Sequence, residues 1–361
     1  MADPSPVLDR ISTRLDAFVE RMRAETADYG AEARAFVLAA ADTLRGGKRL
    51  RARFCHAGWA AVAGPAGVGS EPDGLWDACA ALEVFQSAAL VHDDLIDNSD
   101  TRRGRPATHR ALEARHVEAA WTGDAVGFGR SAAILLGDLL VAWSDDLLES
   151  GLSGAAHAEA VRAEYARMRR DVTIGQYLDI AEESAWSVSD DAEHAERALR
   201  VVSLKAARYS VEQPLLIGAA LAGADERQRA ALRGFGHPLG MAFQLRDDVL
   251  GVFGDERVTG KPTGDDLREG KRTLLIAWTR EALAAPGRRL VDELLGDPHL
   301  TADQIASLQA AIVESGALAR AELLIADYAA EGEKALVDAP LDAGALGLLR
   351  ALARDATQRT A

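Results

Sequence analysis

Leu75–Asn98 reads LWDACAALEVFQSAALVHDDLIDN, with apolar side chains on nearly every helical face until two aspartates stand four apart near its end. No glycine or proline interrupts it, so the stretch predicts one long helix. A helix so apolar on so many sides must be buried, which makes it an inner member of a bundle. The same logic extends outward. Leu8, Ile11, Leu15, Phe18 and Met22 recur at spacings of three and four, as one face of a first helix. Gly129–Leu148, Ala155–Ile180, Asp190–Leu221 and Glu226–Phe253 predict further long helices. Leu274–Ala284, Thr301–Ser315 and Ala317–Leu336 predict shorter ones. Period-two alternation is absent and turn signals are sparse, so the chain is predicted to be all-α, with no sheet. The stretches Gly64–Gly74, Arg102–Pro106, Glu182–Ser189 and Gly254–Gly270 read as connectors, and none looks like an interdomain linker. The expectation is a single domain over 1–361. Pro238 falls inside a helical pattern and is expected to kink that helix or split it in two.

The end of the first stretch carries the chemistry. In LVHDDLIDNSDTRRGRP (Leu90–Pro106), Asp93 and Asp97 lie one turn apart on one helix face. Like charges at that spacing destabilise an isolated helix by a few tenths of a kcal/mol, so the pair points to a cation between them. Hard oxygen donors suit Mg²⁺, which prefers one or two carboxylates plus substrate phosphate oxygens. Arg102, Arg103 and Arg105 follow, where a phosphate would need bidentate partners. A second cluster mirrors the first: FQLRDDVLGVFG (Phe243–Gly254) places Asp247 and Asp248 on an apolar helix and is trailed by Lys261 and Lys271. Two acid pairs on separate helices could clamp Mg²⁺ ions around a diphosphate. A third segment, RGGKRLRAR (Arg45–Arg53), packs five cations about a Gly-Gly turn and suits a phosphate. GDERVTGKP is not a P-loop: it has five residues between Gly254 and Gly260 and Pro262 in place of Ser or Thr.

Composition sets limits on this reading. Acidic residues number 56 against 41 basic ones, a net charge of −15, which opposes binding to nucleic acid or anionic membranes. Only five cations are lysine, and four of these (Lys48, Lys205, Lys261, Lys271) fall in or near the charged segments. That bias favours sites needing a compact ammonium. Cys55 and Cys79 have no metal-ligand spacing, and a reducing cytoplasm is expected. MADPSPVLDR does not read as a leader. The apolar run SAAILLGDLLVAW holds an Asp and is short for a span, so no stable membrane insertion is expected.

Taken together, GGKRLR, DDLID with TRRGRP, GDLL (Gly137–Leu140), GQYLD (Gly175–Asp179), Lys205 and FQLRDD with its GK loop resemble the trans-isoprenyl diphosphate synthases, in the right order from about Gly46 to Thr273. The resemblance is closest to geranylgeranyl diphosphate synthases of bacteria. It implies long, largely antiparallel helices around a central cavity, and a cytoplasmic homodimer. It also implies a Mg²⁺-dependent prenyltransferase that joins isopentenyl diphosphate to an allylic diphosphate. Asp93, Asp97 and Asp247 match ligands of three Mg²⁺ ions. Arg102, Lys205 and Lys261 match cations on the allylic diphosphate. Lys48, Arg51, Gln86 and Arg103 match the isopentenyl diphosphate site, while Gln176, Asp179 and Gln244 match polar residues at the reacting centre. His92 and His109 are expected to be structural. No protein nucleophile is needed.

Two positions depart from the pattern. Gly251 stands where the second motif usually ends in Asp, and Ala206 stands where a Thr often follows the mid-chain Lys. Product length is read from the helix before Asp93. Ala89 and Ala88 replace the bulky residues that stop the tail at fifteen carbons, and Phe85 is the next bulky side chain, about one turn or ~5 Å deeper. The expectation is a twenty-carbon product, geranylgeranyl diphosphate, with Trp59 as the alternative floor. Farnesyl or longer products are the alternatives in length. A class I terpene cyclase would lack GGKRLR and the RR pair, and a non-catalytic prenyl-diphosphate-binding subunit tends to lose acids of the first motif, which is complete here.

Overall fold

A computed structural model describes residues 5–65, 67, 69–255 and 263–357. The helices run α1 (Ser5–Glu25), α2 (Ala31–Thr43), α3 (Leu50–Ala63), α4 (Asp73–Ile96), α5 (Thr108–Glu118), α6 (Ala125–Leu152), α7 (Ala158–Ala185) and α8 (His194–Val201). A π-helical stretch, Val202–Glu212, joins α8 to α9 (Gln213–Leu221), followed by α10 (Glu226–Phe253) and the short α11 (Asp265–Glu269). Five more helices between Leu274 and Thr357 complete the described chain.

α4 is the buried rod that its sequence predicts. Leu75, Leu82, Val84, Cys79 and Ala78–Ala81 are sealed from solvent, and the helix packs along α6. α3 lies on α9, and α10 packs against both the π-helical stretch and the helix Ala317–Ala335. One apolar cluster unites α1, α3, α4, α6 and α9, and a second gathers the C-terminal helices around Leu274–Trp278 and α10. The all-α expectation holds.

Four details differ from the sequence reading. A two-residue ladder, Thr101–Arg102 with Arg105–Pro106, crosses the expected connector. Its turn is Arg103-Gly104, both at positive φ (53° and 72°), the geometry that closes a tight hairpin. Glu182 belongs to α7 and not to a loop, because it is buried and accepts from Arg197 Nε at 2.8 Å. Pro238 does not split α10, which runs unbroken from a capping box at Asp225 and Gln228. Pro238 removes one helical hydrogen bond, yet it is buried and α10 packs along the π-helical stretch. Finally, α6 is long and apolar enough to cross a membrane, with mean hydropathy 1.6, because it extends well beyond the short run quoted above. Its inner face is spent on α4 and α5. Cys55 and Cys79 are buried free thiols.

Candidate active site

Close approach between helices builds the site. Gly175 in α7 lies against the Lys205 backbone: a Cβ there would sit 2.4 Å from Lys205 N. Only glycine allows α7 and the π-helical stretch to meet so tightly, and that contact aligns Gln176 and Asp179 with Lys205. Gly137 of GDLL does the same for α4, since its missing Cβ would fall 2.1 Å from His92 Nε2. His92 also contacts the Ile134 carbonyl at 3.2 Å, which fits the structural role expected for it. His109 is buried with neither ring nitrogen hydrogen-bonded among the described residues, and burial lowers its pKa.

The first acid pair meets cations from three other elements. Gln176 Nε2 donates to Asp93 Oδ1 at 2.9 Å, and Lys205 Nζ stands 3.4 Å from the same oxygen and 2.5 Å from Asp179 Oδ2. Lys271 Nζ donates to Asp97 Oδ2 at 2.7 Å. Arg102, folded back by the hairpin, grips the buried Asp94 through Nε at 2.7 Å and reaches within 3.8 Å of Asp93. Asp94 is therefore the anchor of Arg102, while Asp93 and Asp97 face the shared space.

Electrostatics follow that division. Burial pushes the Asp93 pKa up, but Lys205, Lys271 and Arg102 outweigh it and hold the carboxylate below its ordinary range. For Asp94, burial wins over Arg102 and the pKa rises. Burial also works against charged Lys271, yet Asp97, Asp179, Asp93 and Glu269 together hold its pKa well above the ordinary lysine value. Opposite charges from other elements thus offset the cost of burying Asp93 and Lys271. On α10, Asp248 is buried and accepts from Gln244 Nε2 at 2.8 Å. Burial, then Asp266, Asp247 and Asp179, push its pKa to about 8. Gln244 thus steadies the second acid of its own motif.

A second, mostly cationic group lies beside the first. Arg51 Nη2 donates to Ser210 Oγ at 2.7 Å and its guanidinium lies 4.1 Å over the Tyr209 ring. Tyr209 donates in turn to Gln86 Oε1 at 2.7 Å. The Arg103 guanidinium covers Gly47, where a Cβ would lie only 2.9 Å from Nη2. Burial, followed by repulsion from Arg49 and also from Arg102 and Arg51, lowers the Arg103 pKa. Crowded guanidiniums that raise each other's energy are relieved by an anion, which suits a diphosphate. Lys48 sits at the Gly-Gly turn of the same segment.

The structure thus brings together Asp93, Asp97, Gln176, Asp179, Lys205 and Arg102 in one group, and Arg51, Gln86 and Arg103 in the other. Asp247 lies on α10 beside Asp248. Lys261 falls outside the described residues. Sequence reasoning left Lys271 without a partner, although its place among the scarce lysines marked it. It missed Tyr209, which joins Arg51 to Gln86, and the reach of Arg49, one of the five cations of Arg45–Arg53, to buried Glu83 at 3.8 Å. Ala206 is buried within the π-helical stretch, next to Lys205. Two surface pockets, one against Phe235 and Arg350 and one against Arg110 and Val117, share no residue with the site.

A helical bundle that turns paired carboxylates from one buried helix toward Lys205 of the π-helical stretch and Lys271 of the connector before Leu274 has the architecture of an enzyme of prenyl diphosphates. Comparison with known proteins agrees. Residues 35–312 match the family model described as polyprenyl synthetase. A geranylfarnesyl diphosphate synthase of Aeropyrum pernix is 37% identical over 246 residues, 67% of this chain and 69% of its own. A geranylgeranyl diphosphate synthase of Sulfolobus acidocaldarius is 33% identical over 242 residues, covering 66% of each. The chain thus aligns with about two thirds of the length of these curated relatives. A crystal structure of a geranylgeranyl pyrophosphate synthase from Corynebacterium glutamicum, complexed with isoprenyl diphosphate and magnesium, superposes with a TM-score of 0.90. It is 37% identical and covers 99% of this chain and 98% of that one. The chain belongs to the polyprenyl synthetase family of trans-prenyltransferases.

Proposed function

We propose that the protein condenses isopentenyl diphosphate head-to-tail with an allylic diphosphate, in a Mg²⁺-dependent reaction whose main product is geranylgeranyl diphosphate. The observation that carries this reading is the convergence of Gln176, Lys205 and Lys271 on Asp93 and Asp97. The donors fit the metal. All are hard oxygens, and among the described residues no group of three or more metal-binding side chains is close enough to cage an ion alone. Mg²⁺ suits such a site because it keeps positions for water and phosphate oxygens. Asp93, Asp97 and Asp247 would hold it, as up to three ions, and it would supply positive charge to the diphosphate oxygens.

The chain's own residues do the rest. Arg102, Lys205, Lys271 and Lys261 stabilise the charge that grows on the leaving diphosphate as the allylic C–O bond breaks. Lys48, Arg51, Arg103 and Gln86 hold isopentenyl diphosphate so that its double bond meets the allylic carbon. Tyr209 fixes two of these by stacking on Arg51 and donating to Gln86. Gln176 and Asp179 orient Lys205 and Asp93, and Gln244 steadies Asp248. The departing diphosphate takes the proton whose loss restores the alkene. The decisive test is product analysis by mass after feeding isopentenyl diphosphate with dimethylallyl, geranyl or farnesyl diphosphate. Consumption without a C20 product would overturn the length, and no consumption with any primer would overturn the activity.

Length is read from Phe85. Ala88 is buried and small, and the Phe85 ring is held edge-on by Tyr165 and Tyr209 at centroid distances of 6.3 and 5.8 Å. Trp59 is the deeper candidate. It packs on His56, which stacks on Trp76, nine residues or ~14 Å before Phe85 along α4. Phe85 therefore meets the tail first.

We also infer that the whole chain, 1–361, acts as one domain and works as a cytoplasmic homodimer. The outer face of α6 exposes Val126, Ile134 and Leu135, continuing to Val117 on α5. Asp138, Asp146 and Arg130 share that outer face, which a bilayer would not accept but a second copy would. Ile134→Asp with Leu135→Asp should convert the native species to a monomer in sedimentation. Native protein sedimenting as a monomer would refute the dimer.

A further inference from the structure

A second aromatic ring reaches across the bundle beside Phe85. Tyr165 stands on α7, buried, with its ring edge-on to Phe85 at a centroid distance of 6.3 Å. Its hydroxyl reaches the seam between α4 and α6, where it is hydrogen-bonded to Ser144. Ser144 Oγ in turn donates to the Ala81 carbonyl of α4 at 2.6 Å. A serine hydroxyl carries one proton and a carbonyl only accepts, so Tyr165 is the donor to Ser144. One phenol thereby joins three helices: α7 supplies the ring, α6 the acceptor and α4 the end of the chain of bonds.

The ring is held from two directions. A buried phenol that gave up its bond to Ser144 would leave polar groups unpaired, so the hydroxyl end is fixed. Burial also pushes the hydroxyl pKa up, which keeps the proton that it donates. The Arg169 guanidinium lies 4.9 Å from the ring centroid and is itself held by Asp145 Oδ1 and Oδ2 at 2.6 and 2.5 Å. Ser144 and Asp145, neighbours on α6, thus fix the ring at its tip and over its face.

Its position along α4 decides its use. Ala89, Phe85 and Ala81 are spaced by four, so they form one stripe along that helix. Ala81 lies about 6 Å before Phe85, toward the start of α4. The Trp76–His56–Trp59 group lies farther back still. A tail that followed the stripe past Phe85 would therefore meet the tethered Tyr165 ring before it reached Trp59.

We propose that Tyr165 is a second residue that sets product length, a fixed ring that stops the growing tail once it has passed Phe85. The proposal rests on the reading above, in which the tail runs along α4 from Asp93. The two stops differ in kind. Phe85 is a side chain of α4 itself, whereas Tyr165 comes from α7 and is held in place by α6.

The test is product analysis by mass with isopentenyl and farnesyl diphosphates. Phe85→Ala should lengthen the product by about one isoprene unit, the rise of roughly one helical turn. Adding Tyr165→Ala should move the main product at least one unit further, raising the ratio of that longer product to the Phe85→Ala product ~10-fold. Adding Tyr165→Phe instead should keep the Phe85→Ala length, because the ring remains and only its hydroxyl is lost. A product ratio does not depend on how much of a variant folds, and Tyr165→Val replaces Tyr165→Ala should the larger cavity unfold the chain. A distribution for Phe85→Ala with Tyr165→Ala equal to that of Phe85→Ala alone overturns the proposal. So does a Tyr165→Phe combination that lengthens as far as the Tyr165→Ala one. Native enzyme that consumes substrate but makes no C20 product overturns the length reading itself, and Tyr165 falls with it.

Discussion

The C-terminal ends of α4 and α10 carry the same kind of acid pair in different surroundings. On α4 the motif is complete, and each of its acids has a partner from another part of the chain. Asp93 meets Gln176 and Lys205, Asp94 holds Arg102, and Asp97 holds Lys271. On α10 the motif is one acid short. Asp248 is buried, its pKa raised to about 8 by its own burial and by Asp266, and its hydrogen bond from Gln244 comes from one turn away on the same helix. The first end is a hub of paired charges, whereas at the second a buried carboxyl, Asp248, lies near Asp266 and Asp247. The contrast teaches that the same local spacing acquires different electrostatics from what the fold places opposite it.

The most direct way to break the comparison is to remove the hub. Asp93→Ala should lower kcat by ~10³-fold with the helical circular dichroism unchanged, because electrostatic stabilisation of the leaving group is lost. A loss below tenfold would mean that α10 carries the metal chemistry alone. Lys271→Ala should cost less, ~10²-fold in kcat, since Lys205 and Arg102 remain. A larger loss than for Asp93→Ala would invert the order of the two groups.

The packing beneath the hub gives a smaller effect in a different observable. Gly175→Ala should destabilise the protein by about 2 kcal/mol in denaturant unfolding, because a Cβ 2.4 Å from Lys205 N must push α7 away. Unchanged stability would show that the two helices can separate at no cost. Smallest in rate is the change at the floor. Phe85→Ala should leave kcat within a few-fold of native and extend the product beyond twenty carbons. An unchanged product distribution would remove Phe85 as the stop.

Much of this protein is legible in its sequence. Long apolar periodicity marked α4, free of Gly and Pro from Leu75 on, and also α10 in spite of Pro238 and its glycines, since a helix buried on most sides leaves that signature whatever surrounds it. The hairpin at Thr101–Pro106 was not legible as strand, because an Arg-Gly turn is a weak signal compared with Asn-Gly. The bounds of α7 were missed at Glu182 because its partner, Arg197, lies beyond the turn. Among site residues, those in compact motifs were readable. Tyr209 was not, nor was the reach of Arg49 to Glu83, because those contacts depend on neighbours far along the chain.

The sequence by itself determined the helical class, the two acid pairs and the cations that follow them: apolar periodicity marks the helices, and helix geometry alone puts Asp93 and Asp97, four apart, on one face. Only the tertiary structure decided the pairings: Lys271 with Asp97, Arg102 with Asp94, and the Asp266 carboxylate over Gly251. The physical reason is that periodicity is a local property of the chain, whereas the partner of a buried charge is chosen by which helices can approach closely enough to share it. Glycines at 137 and 175 permit that approach, and the sequence shows them only as small residues in short motifs.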